Sequence, residues 1–433
     1  TADVTPIHKD KEKTSKEKYR PVSNLKPVSK VFEKNIYAQL YEYMSKYMSD
    51  YLCGFRNGYS TQYSLIFMIE KWKKAVDQKK VAGAVLTDLT KAFDCLNHEL
   101  LIAKLAAYGL DQHSLRYILS YLTGRKQRTK INYTYSSWSS IKCGVPQGSN
   151  LGPLLFNIYI NDIFYFVNGN NLTNYADDNT PYAICDDVNS VIKNLENQSS
   201  VLQRWLTDNY YKMNSNKCIL IITDKHEHTA NINGVPIKGD KTVKLLGVTI
   251  DNNLNFNEHI NDLCRKANQK FLAIARISNY IDNKKLRILM KAFIESQFGY
   301  CPLLWMFHSR TLNNKIDKLH ERSLRILYKG NYDTFSDLLK KDNSFSIHQR
   351  NLQKLVIEMF KVRNGMSPLF MKEIFPTSEA SYNFRHGDTF CSNNIRTVKC
   401  GKNTISHIGP RIWVKVPINL RKIKSLEIFK TNI

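Results

Sequence analysis

Apolar and polar positions follow two different patterns along this chain. Up to about residue 252, short apolar runs alternate with amphipathic segments, whereas helical periodicity dominates from Asn257 onward. Val81 to Leu89 is a nearly continuous apolar run, which is typical of a strand buried on both faces. Strands are also predicted within 171–184, where two acids mark a hairpin turn, and at 218–223 and 241–250.

Amphipathic helices complete the predicted pattern. The spacing of apolar residues predicts them at 28–48, 61–76, 97–108, 111–122, 154–167, 188–213, 259–279, 284–299, 313–328 and 347–364. With 433 residues, the chain is expected to form two or three subdomains. We expect His8–Ser23 to be a charged, solvated stretch, and the pattern does not place 376–433 firmly.

The chain carries a formal charge of +25, from 63 Lys and Arg against 38 Asp and Glu. Such an excess favours a polyanionic partner, with nucleic acid ahead of a membrane surface. The sequence has no apolar run of about 18 residues and no signal-peptide pattern, so we expect no membrane partner. Nine cysteines without a C-x-x-C pair indicate a reducing compartment and mostly free, buried thiols.

Three acids stand out as candidate metal ligands. Asp88 ends the apolar strand, and Asp177 and Asp178 occupy the predicted hairpin turn. Carboxylates gathered at strand ends repel one another unless cations lie between them, and Mg²⁺ prefers such oxygen ligands. Two Mg²⁺ ions about 3.5 to 4 Å apart can support in-line phosphoryl transfer. The alternative is that Asp177 and Asp178 are ordinary turn residues.

Seven segments in a fixed order carry a family resemblance. They are YRPVSNLKPVSKVFEK (19–34), GFRNGYST (54–61), TDLTKAFDCLNHELL (87–101), GVPQGSNLGPLLFNIYINDI (144–163), YADD (175–178), NSNKC (214–218) and LLGVTID (245–251). Over about residues 5–252 the chain resembles the reverse transcriptase of non-LTR (LINE-type) retrotransposons, nearest to the jockey-like and chicken-repeat-like groups. The resemblance implies an α+β right-hand polymerase that copies RNA into DNA with two Mg²⁺ ions, or Mn²⁺ as a substitute.

The resemblance also implies roles for individual residues. Asp88, Asp177 and Asp178 fall on the family's catalytic aspartates, and the backbone of Leu89 adds a metal contact. The residues implied for deoxynucleotide binding are Lys9, Arg20, Phe93, Gln147 and Gly148. Phe93 falls where the family keeps an aromatic gate that excludes a 2′-hydroxyl; the alternative is an ordinary core aromatic. Lys9 has the alternative of belonging to a solvated charge run.

Two further features of the family have counterparts. Lys217 matches a lysine proposed to protonate the pyrophosphate leaving group, and a surface lysine is the alternative. Leu245, Leu246 and Gly247 match the hairpin that grips the primer end, where core packing is the alternative. Basic positions in Gly124–Lys130 and along 257–329 are expected to contact template and duplex phosphates.

The implied domains are a reverse transcriptase domain, a thumb and an extension. Fingers are expected near 1–80 and 102–140, palm near 81–101 and 141–252, a helical thumb at 253–330, and a C-terminal extension of unassigned role at 331–433. Expected partners are an RNA template, a DNA primer, the RNA/DNA hybrid and dNTPs, with the oligomeric state left open. The element type implies an intracellular ribonucleoprotein, in cytoplasm and nucleus.

Alternatives to this function differ in chemistry. A viral-type RNA-dependent RNA polymerase would favour a polar residue at Phe93 and Gly-Asp-Asp in place of Ala-Asp-Asp. An inactive element remnant would bind nucleic acid without catalysis. The chain begins at Thr1 without methionine, so we expect a fragment, and the family's N-terminal endonuclease is missing from it. A zinc site from His386, Cys391, Cys400 and His407 competes with free thiols and ordinary histidines, which are the default.

Overall fold

A computed structural model of the chain describes residues 1–8, 12–89, 91–167, 171–329, 333–377, 390–392 and 395–433. Lys9 of the predicted nucleotide site and His386 of the zinc hypothesis lie outside these residues. The strands are β1 (Ala2–His8), β2 (Tyr19–Asn24), β3 (Val81–Leu86), β4 (Lys126–Ile131), β5 (Thr134–Tyr135), β6 (Ser139–Ser140), β7 (Leu172–Tyr175), β8 (Asp178–Cys185), β9 (Ile219–Ile222), β10 (Thr229–Ile232), β11 (Val235–Lys238), β12 (Thr242–Leu245) and β13 (Val248–Asp251).

Helices occupy much of the remaining described chain. They are α1 (Pro27–Ser45), α2 (Thr61–Asp77), α3 (His98–Ala107), α4 (Gln112–Leu122), α5 (Gly152–Ile160), α6 (Ile163–Phe166), α7 (Val188–Asp208), α8 (Asn257–Ile277), α9 (Asn283–Phe293), α10 (Pro302–Trp305), α11 (Arg310–Tyr328), α12 (Phe335–Lys341), α13 (Ile347–Arg363), α14 (Met371–Ile374), α15 (Ile405–Trp413), α16 (Ile418–Arg421) and α17 (Leu426–Asn432). Side-chain caps fix several starts: Asn97, Asp111 and Asp187 each accept a backbone N–H bond from the first turn that follows.

The central sheet has the strand order β7-β8-β3-β9, and every neighbouring pair is antiparallel. Its middle strand β3 is buried from Ala82 to Leu86, as the continuous apolar run predicts. Helix α7 covers one face, and Gly83 permits this contact because a Cβ there would lie 2.8 Å from Val191 Cγ1. Together with the helical second half, this sheet confirms the predicted α+β right-hand fold class.

A second sheet corrects the expectation for the first residues. β1 pairs antiparallel with β2 and parallel with β4, and β4 also pairs with β5 and β6. The stretch 8–23, expected to be solvated, therefore ends in a strand that begins at Tyr19. The charged side chains gave no sign of this strand, because strand pairing depends on backbone groups and on buried neighbours such as Val4.

Several predicted boundaries are also wrong. The helix expected at 154–167 is divided into α5 and α6. The helix expected at 188–213 ends at Asp208, since Tyr210 adopts a left-handed backbone with φ of +60°. The helix expected at 284–299 ends at Phe293, followed by a 3-10 turn in which Glu295 is buried between Arg287 and Arg350. The pattern missed β10 and β11 altogether.

One hydrophobic core joins the helical second half to the first. It contains Trp72 of α2, Phe298, Trp413 and Phe429, each 3% exposed or less. A separate core lies among α1, α3, α4 and α5. This first core has members on both sides of 330–332, so the segments predicted as thumb and extension share it. The predicted boundary between them stays a prediction.

Three buried charged residues of α2 hold the C-terminal residues 395–406, a contact we call the α2 junction. The Asp77 carboxylate accepts hydrogen bonds from the N–H groups of Arg396 (2.9 Å) and Thr397 (2.6 Å). Glu70 accepts from the N–H groups at positions 405 (3.3 Å) and 406 (3.1 Å), where α15 begins. Lys73 Nζ donates to the Asn403 carbonyl at 3.2 Å. None of the helices in the described part of the chain has the length and hydropathy to cross a membrane.

Candidate active site

The ends of β3 and the β7–β8 hairpin meet at one edge of the central sheet. Thr87, just after β3, donates through its N–H (3.2 Å) and its Oγ1 (2.7 Å) to the carbonyl of Asn179. This double contact places the next residue, Asp88, beside the turn that carries Asp177 and Asp178. Asp88 and the hairpin turn therefore come from separate segments to the same edge of the sheet.

The turn that carries the acid pair is fixed by amides and by a glycine. Asn174 Nδ2 donates to the Ala176 carbonyl at 3.0 Å and to Asn179 Oδ1 at 2.9 Å. Ala176 adopts a left-handed backbone with φ of +56°. Gly54 lies against it so closely that a Cβ would be 2.3 Å from the Ala176 nitrogen. The turn is thus packed and held from both sides, which an ordinary surface turn does not require.

A cavity of about 1060 Å³ opens in front of this turn. Asp88, Leu89 and Asp177 line it, whereas Asp178 is exposed and is not among the lining residues. The other predicted nucleotide ligands in the described chain, all of which line it too, are Arg20, Phe93, Gln147 and Gly148. Predicted metal and nucleotide residues from five segments therefore line one cavity: β2, the end of β3, the loops before α3 and α5, and the β7–β8 turn.

The donor set of the cavity fits a divalent cation such as Mg²⁺. Asp88 and Asp177 offer carboxylate oxygens, and Mg²⁺ commonly takes one or two carboxylates and fills its shell with water and substrate phosphates. Within the described ranges, no three His, Cys, Asp or Glu side chains form a group that could hold a metal ion. Two carboxylates would leave the rest of a Mg²⁺ shell to water and to substrate oxygens.

Phe93 belongs to the cavity wall and to the core at once. Its ring stacks on Phe156 with centroids 4.5 Å apart and meets the Phe55 ring edge-on at 5.8 Å. The side chain is partly buried and still lines the cavity. The ring therefore packs in the core, as the alternative interpretation expects. The same packing would hold the ring in place if it acts as a gate.

Gln147 is positioned by contacts that the sequence did not suggest. Its Nε2 donates to Asp94 Oδ1 at 3.0 Å, and its carbonyl accepts from the Ser23 N–H at 2.8 Å. Burial raises the pKa of Asp94, against the opposing effect of the Gln147 hydrogen bond. Gly148 has φ of +111°, and a Cβ there would lie 3.0 Å from the Ser23 carbonyl oxygen. The local sequence signal for a role of Asp94 at the site is its position directly after Phe93.

Basic side chains line the same cavity as the acids. Arg20, which the resemblance placed with the triphosphate, is joined on the cavity wall by Lys13, Lys16 and Lys91. Lys13 and Lys16 belong to the same charged run as Lys9, and the sequence pattern does not single them out. Four cations and the three carboxylates Asp88, Asp94 and Asp177 on one cavity wall suit a ligand that carries both phosphates and a metal ion.

Lys217 contacts an acid of the site instead of the cavity. Its Nζ lies 3.2 Å from Asp88 Oδ2, with the two side chains 64% and 47% exposed. Lys217 is not among the lining residues. The observed contact favours charge compensation at Asp88, and the predicted proton donation stays a prediction.

The predicted primer hairpin is the turn between β12 and β13. Leu246 and Gly247 form it with φ of +46° and +81°, while Leu245 is buried. Tyr300, which the sequence did not single out, donates through Oη to the Leu246 carbonyl at 2.6 Å. The same hydroxyl lies 3.2 Å from Thr61 Oγ1 at the start of α2. Packing and a tethered turn therefore coexist here.

The remaining candidate, a zinc site, gains no support from geometry. All nine cysteines lie within the described residues and none of them forms a disulfide; Cys400 is buried and Cys391 is exposed. His407 Nδ1 lies 3.2 Å from Ser392 Oγ. Since His386 is outside the described residues, the proposed set of four ligands stays untested.

Comparisons with known proteins find relatives that match the part of the chain containing the site. The family model for reverse transcriptase (RNA-dependent DNA polymerase) matches residues 7–250. A probable RNA-directed DNA polymerase from transposon BS of Drosophila melanogaster is 27% identical over 367 residues, covering 79% of this chain and 40% of the relative. The polymerase from mobile element jockey of Drosophila funebris is 28% identical over 270 residues, covering 58% and 29%.

A solved structure of Candida tropicalis telomerase, in complex with a fragment of telomeric RNA, is 13% identical with a TM-score of 0.45. It covers 85% of this chain and 58% of the telomerase chain. The present chain spans two fifths or less of the length of the two transposon relatives.

Proposed function

This chain belongs to the reverse transcriptase (RNA-dependent DNA polymerase) family, and on that premise we propose that it copies an RNA template into DNA. Its kinship with jockey-like non-LTR elements, predicted from seven segments, is confirmed. The observation that carries the proposal is the single cavity that Asp88, Asp177, Phe93, Gln147 and Arg20 line together.

The chain's own residues would bind and orient the reactants. Arg20, Lys13 and Lys16 supply donors for a triphosphate. The Phe93 ring, fixed by Phe156, would pack against the sugar and exclude a 2′-hydroxyl. Gln147, fixed by Asp94, would face the nucleotide. A primer 3′-hydroxyl, positioned by the Leu246 turn, would then attack the α-phosphate, and pyrophosphate would leave.

Members of this family use divalent metal ions, and here we propose two Mg²⁺, with Mn²⁺ as a substitute. Asp88, Asp177 and the Leu89 carbonyl would hold them, and Asp178 would support the site. When bound, such ions stabilise the charge that develops on the attacking and leaving oxygens. Lys217, paired with Asp88, would keep that carboxylate compensated and oriented in their absence.

Primer extension on a generic RNA template tests the proposal. With Mg²⁺ and dNTPs the chain should extend a DNA primer, and ribonucleotides should be incorporated far less well. Asp177→Asn should abolish extension while leaving hybrid binding intact. Full activity of this variant would refute the assignment, and binding without extension by the native chain would favour an inactive remnant.

Partners and location are proposed on narrower grounds. The cationic cavity wall supports nucleic acid and dNTPs as ligands, with an RNA template and an RNA/DNA hybrid as the expected forms. Location in cytoplasm and nucleus, as a ribonucleoprotein, rests only on kinship with retrotransposon polymerases.

A further inference from the structure

Aromatic and basic side chains share one face of the hairpin that β4 forms with β5 and β6. We call Arg128, Lys130, Tyr135 and Trp138 the arginine–aromatic face. The Arg128 guanidinium carbon lies 4.0 Å from the Tyr135 ring centroid and 4.6 Å from that of Trp138. Lys130 Nζ lies 5.4 Å from the Tyr135 centroid. The two rings are therefore held in place by one cation.

The face is fixed on its inner side and open on its outer side. Arg128 Nε donates to Asp3 Oδ1 at 2.7 Å, which anchors the guanidinium on neighbouring β1. Tyr135 and Trp138 nevertheless remain 42% and 45% exposed. Rings that are both ordered and exposed cost little conformational entropy when a flat ligand stacks on them.

The chain segment that contains the face carries basic residues and no acidic ones. Between Gln112 and Asn161 the sequence has no Asp or Glu, and the basic residues there are Arg116, Arg125, Lys126, Arg128, Lys130 and Lys142. Asp3 neutralises only one of them in the observed ion pairs of the described chain. Such a surface complements a polyanion and disfavours a basic partner.

The face is continuous with the cavity through one strand. Side chains alternate along β4, so Thr129 and Ile131 project to the side opposite Arg128 and Lys130. Thr129 and Ile131 line the cavity. Tyr133, 97% exposed, lies at the turn that follows Ile131. A strand that leaves the cavity past Ile131 would meet Tyr133 and then the arginine–aromatic face.

We infer that the arginine–aromatic face binds the single-stranded RNA template ahead of the point of synthesis. Unpaired bases expose flat faces that stack on Tyr and Trp rings, whereas bases inside a duplex do not. Lys126 and Lys130 of β4 would contact the phosphates between stacked bases. This inference rests on the proposed polymerase function, because it assigns the strand to the template.

Equilibrium binding to hybrids with different overhangs tests the inference. The native 433-residue chain, without dNTPs, is titrated against labelled RNA/DNA hybrids whose RNA 5′ overhang is about 1 or about 12 nucleotides. The long overhang should bind more tightly. The double variant Y135A/W138A should lose about tenfold or more in affinity for the long overhang and leave the short-overhang affinity unchanged.

Two matched variants complete the design. Y135F/W138F keeps both rings and should bind like the native chain, and Tyr165→Ala removes a 78% exposed ring elsewhere and should have no effect. Equal affinity of the native chain for both hybrids, or equal losses on both in Y135A/W138A, would overturn the inference. Binding requires no turnover, so a chain that fails to extend primers would refute the proposed function without deciding this result.

Discussion

Carboxylates at the sheet edge of the candidate active site and at the α2 junction differ in their exposure and in their hydrogen bonding. At the sheet edge the Asp88 side chain is 47% exposed and forms an ion pair with Lys217. At the junction Asp77 is 5% exposed and accepts backbone and hydroxyl hydrogen bonds from Thr397 as well as one from Arg396. Burial acts to raise the pKa of Asp77, but these hydrogen bonds outweigh it and lower that pKa.

The difference separates a structural carboxylate from one available for chemistry. A buried carboxylate is stable only when its lone pairs are satisfied, and it then has no capacity left for a ligand. A carboxylate on a cavity wall retains oxygen atoms for a cation and its phosphate ligands. Removing the first kind should cost stability, and removing the second should cost activity.

Asp177→Asn should produce the largest change. We expect primer extension to fall by about a thousandfold or more, because an electrostatic stabiliser of the transition state is lost. The melting temperature should change little, since the side chain lines a cavity. Asp186→Asn, an exposed surface change, is the control for both measurements. A large loss of stability in Asp177→Asn would contradict the comparison.

Asp77→Ala should have the opposite effect to Asp177→Asn, because it should mainly lower stability. Leaving the Arg396 and Thr397 N–H groups without their acceptor should lower the free energy of unfolding by about 2 to 4 kcal/mol. Denaturant unfolding measures this, and proteolysis within 395–406 should accelerate. Asp77→Asn keeps one acceptor oxygen and should lose less. Unchanged stability in Asp77→Ala would show that the junction is not structural.

Acid should weaken the fold through buried histidines. Burial lowers the pKa of His259 and of His320 to about 4. The folded chain therefore holds both rings neutral, while the unfolded chain binds protons below about pH 6.5. Stability should be full above pH 6.5 and fall between pH 6.5 and 4, by up to about 1.4 kcal/mol per pH unit for each histidine.

Unfolding titrations across that range, with His320→Gln as the comparison, measure the effect. The variant should show a shallower pH slope than the native chain. Equal slopes would mean that His320 is protonated while folded.

Lys217→Ala should have the smallest effect. Loss of an exposed ion pair to Asp88 should reduce the extension rate several-fold, and Lys217→Arg should restore it because arginine keeps the charge. Arginine does not release its proton at working pH. A lysine-specific loss, unrelieved by arginine, would instead support proton donation to pyrophosphate.

Local signals predicted much of this molecule, and distant pairings account for what was missed. Asp88 at the end of an apolar strand, and the acid pair in a hairpin, are patterns within a few residues. The Asp94 to Gln147 contact joins positions 53 residues apart, and Tyr300 reaches Leu246 across 54. The pairing of β1 with β4 spans more than 120 residues. Periodicity carries no information about such partners, because it records one element at a time.

Predicted helix boundaries were wrong where tertiary contacts overrode the local preference for a helix. α7 stops at Asp208 because Tyr210 turns left-handed, and the helix after Asn283 stops where buried Glu295 meets two arginines. In the described part of 376–433 the helices are short, with nine residues in α15, four in α16 and seven in α17. Segments of this length hold too few turns for periodicity to predict them firmly.

The α2 junction has a consequence for biosynthesis. Glu70 and Asp77 leave the ribosome more than 300 residues before the N–H groups that satisfy them. During translation these carboxylates must stay hydrated, so α2 cannot settle into its final core until residues 395–406 have been made. Synthesis that stops before that point would yield a chain with every predicted catalytic residue and an unfinished core, a substrate for chaperones and proteases.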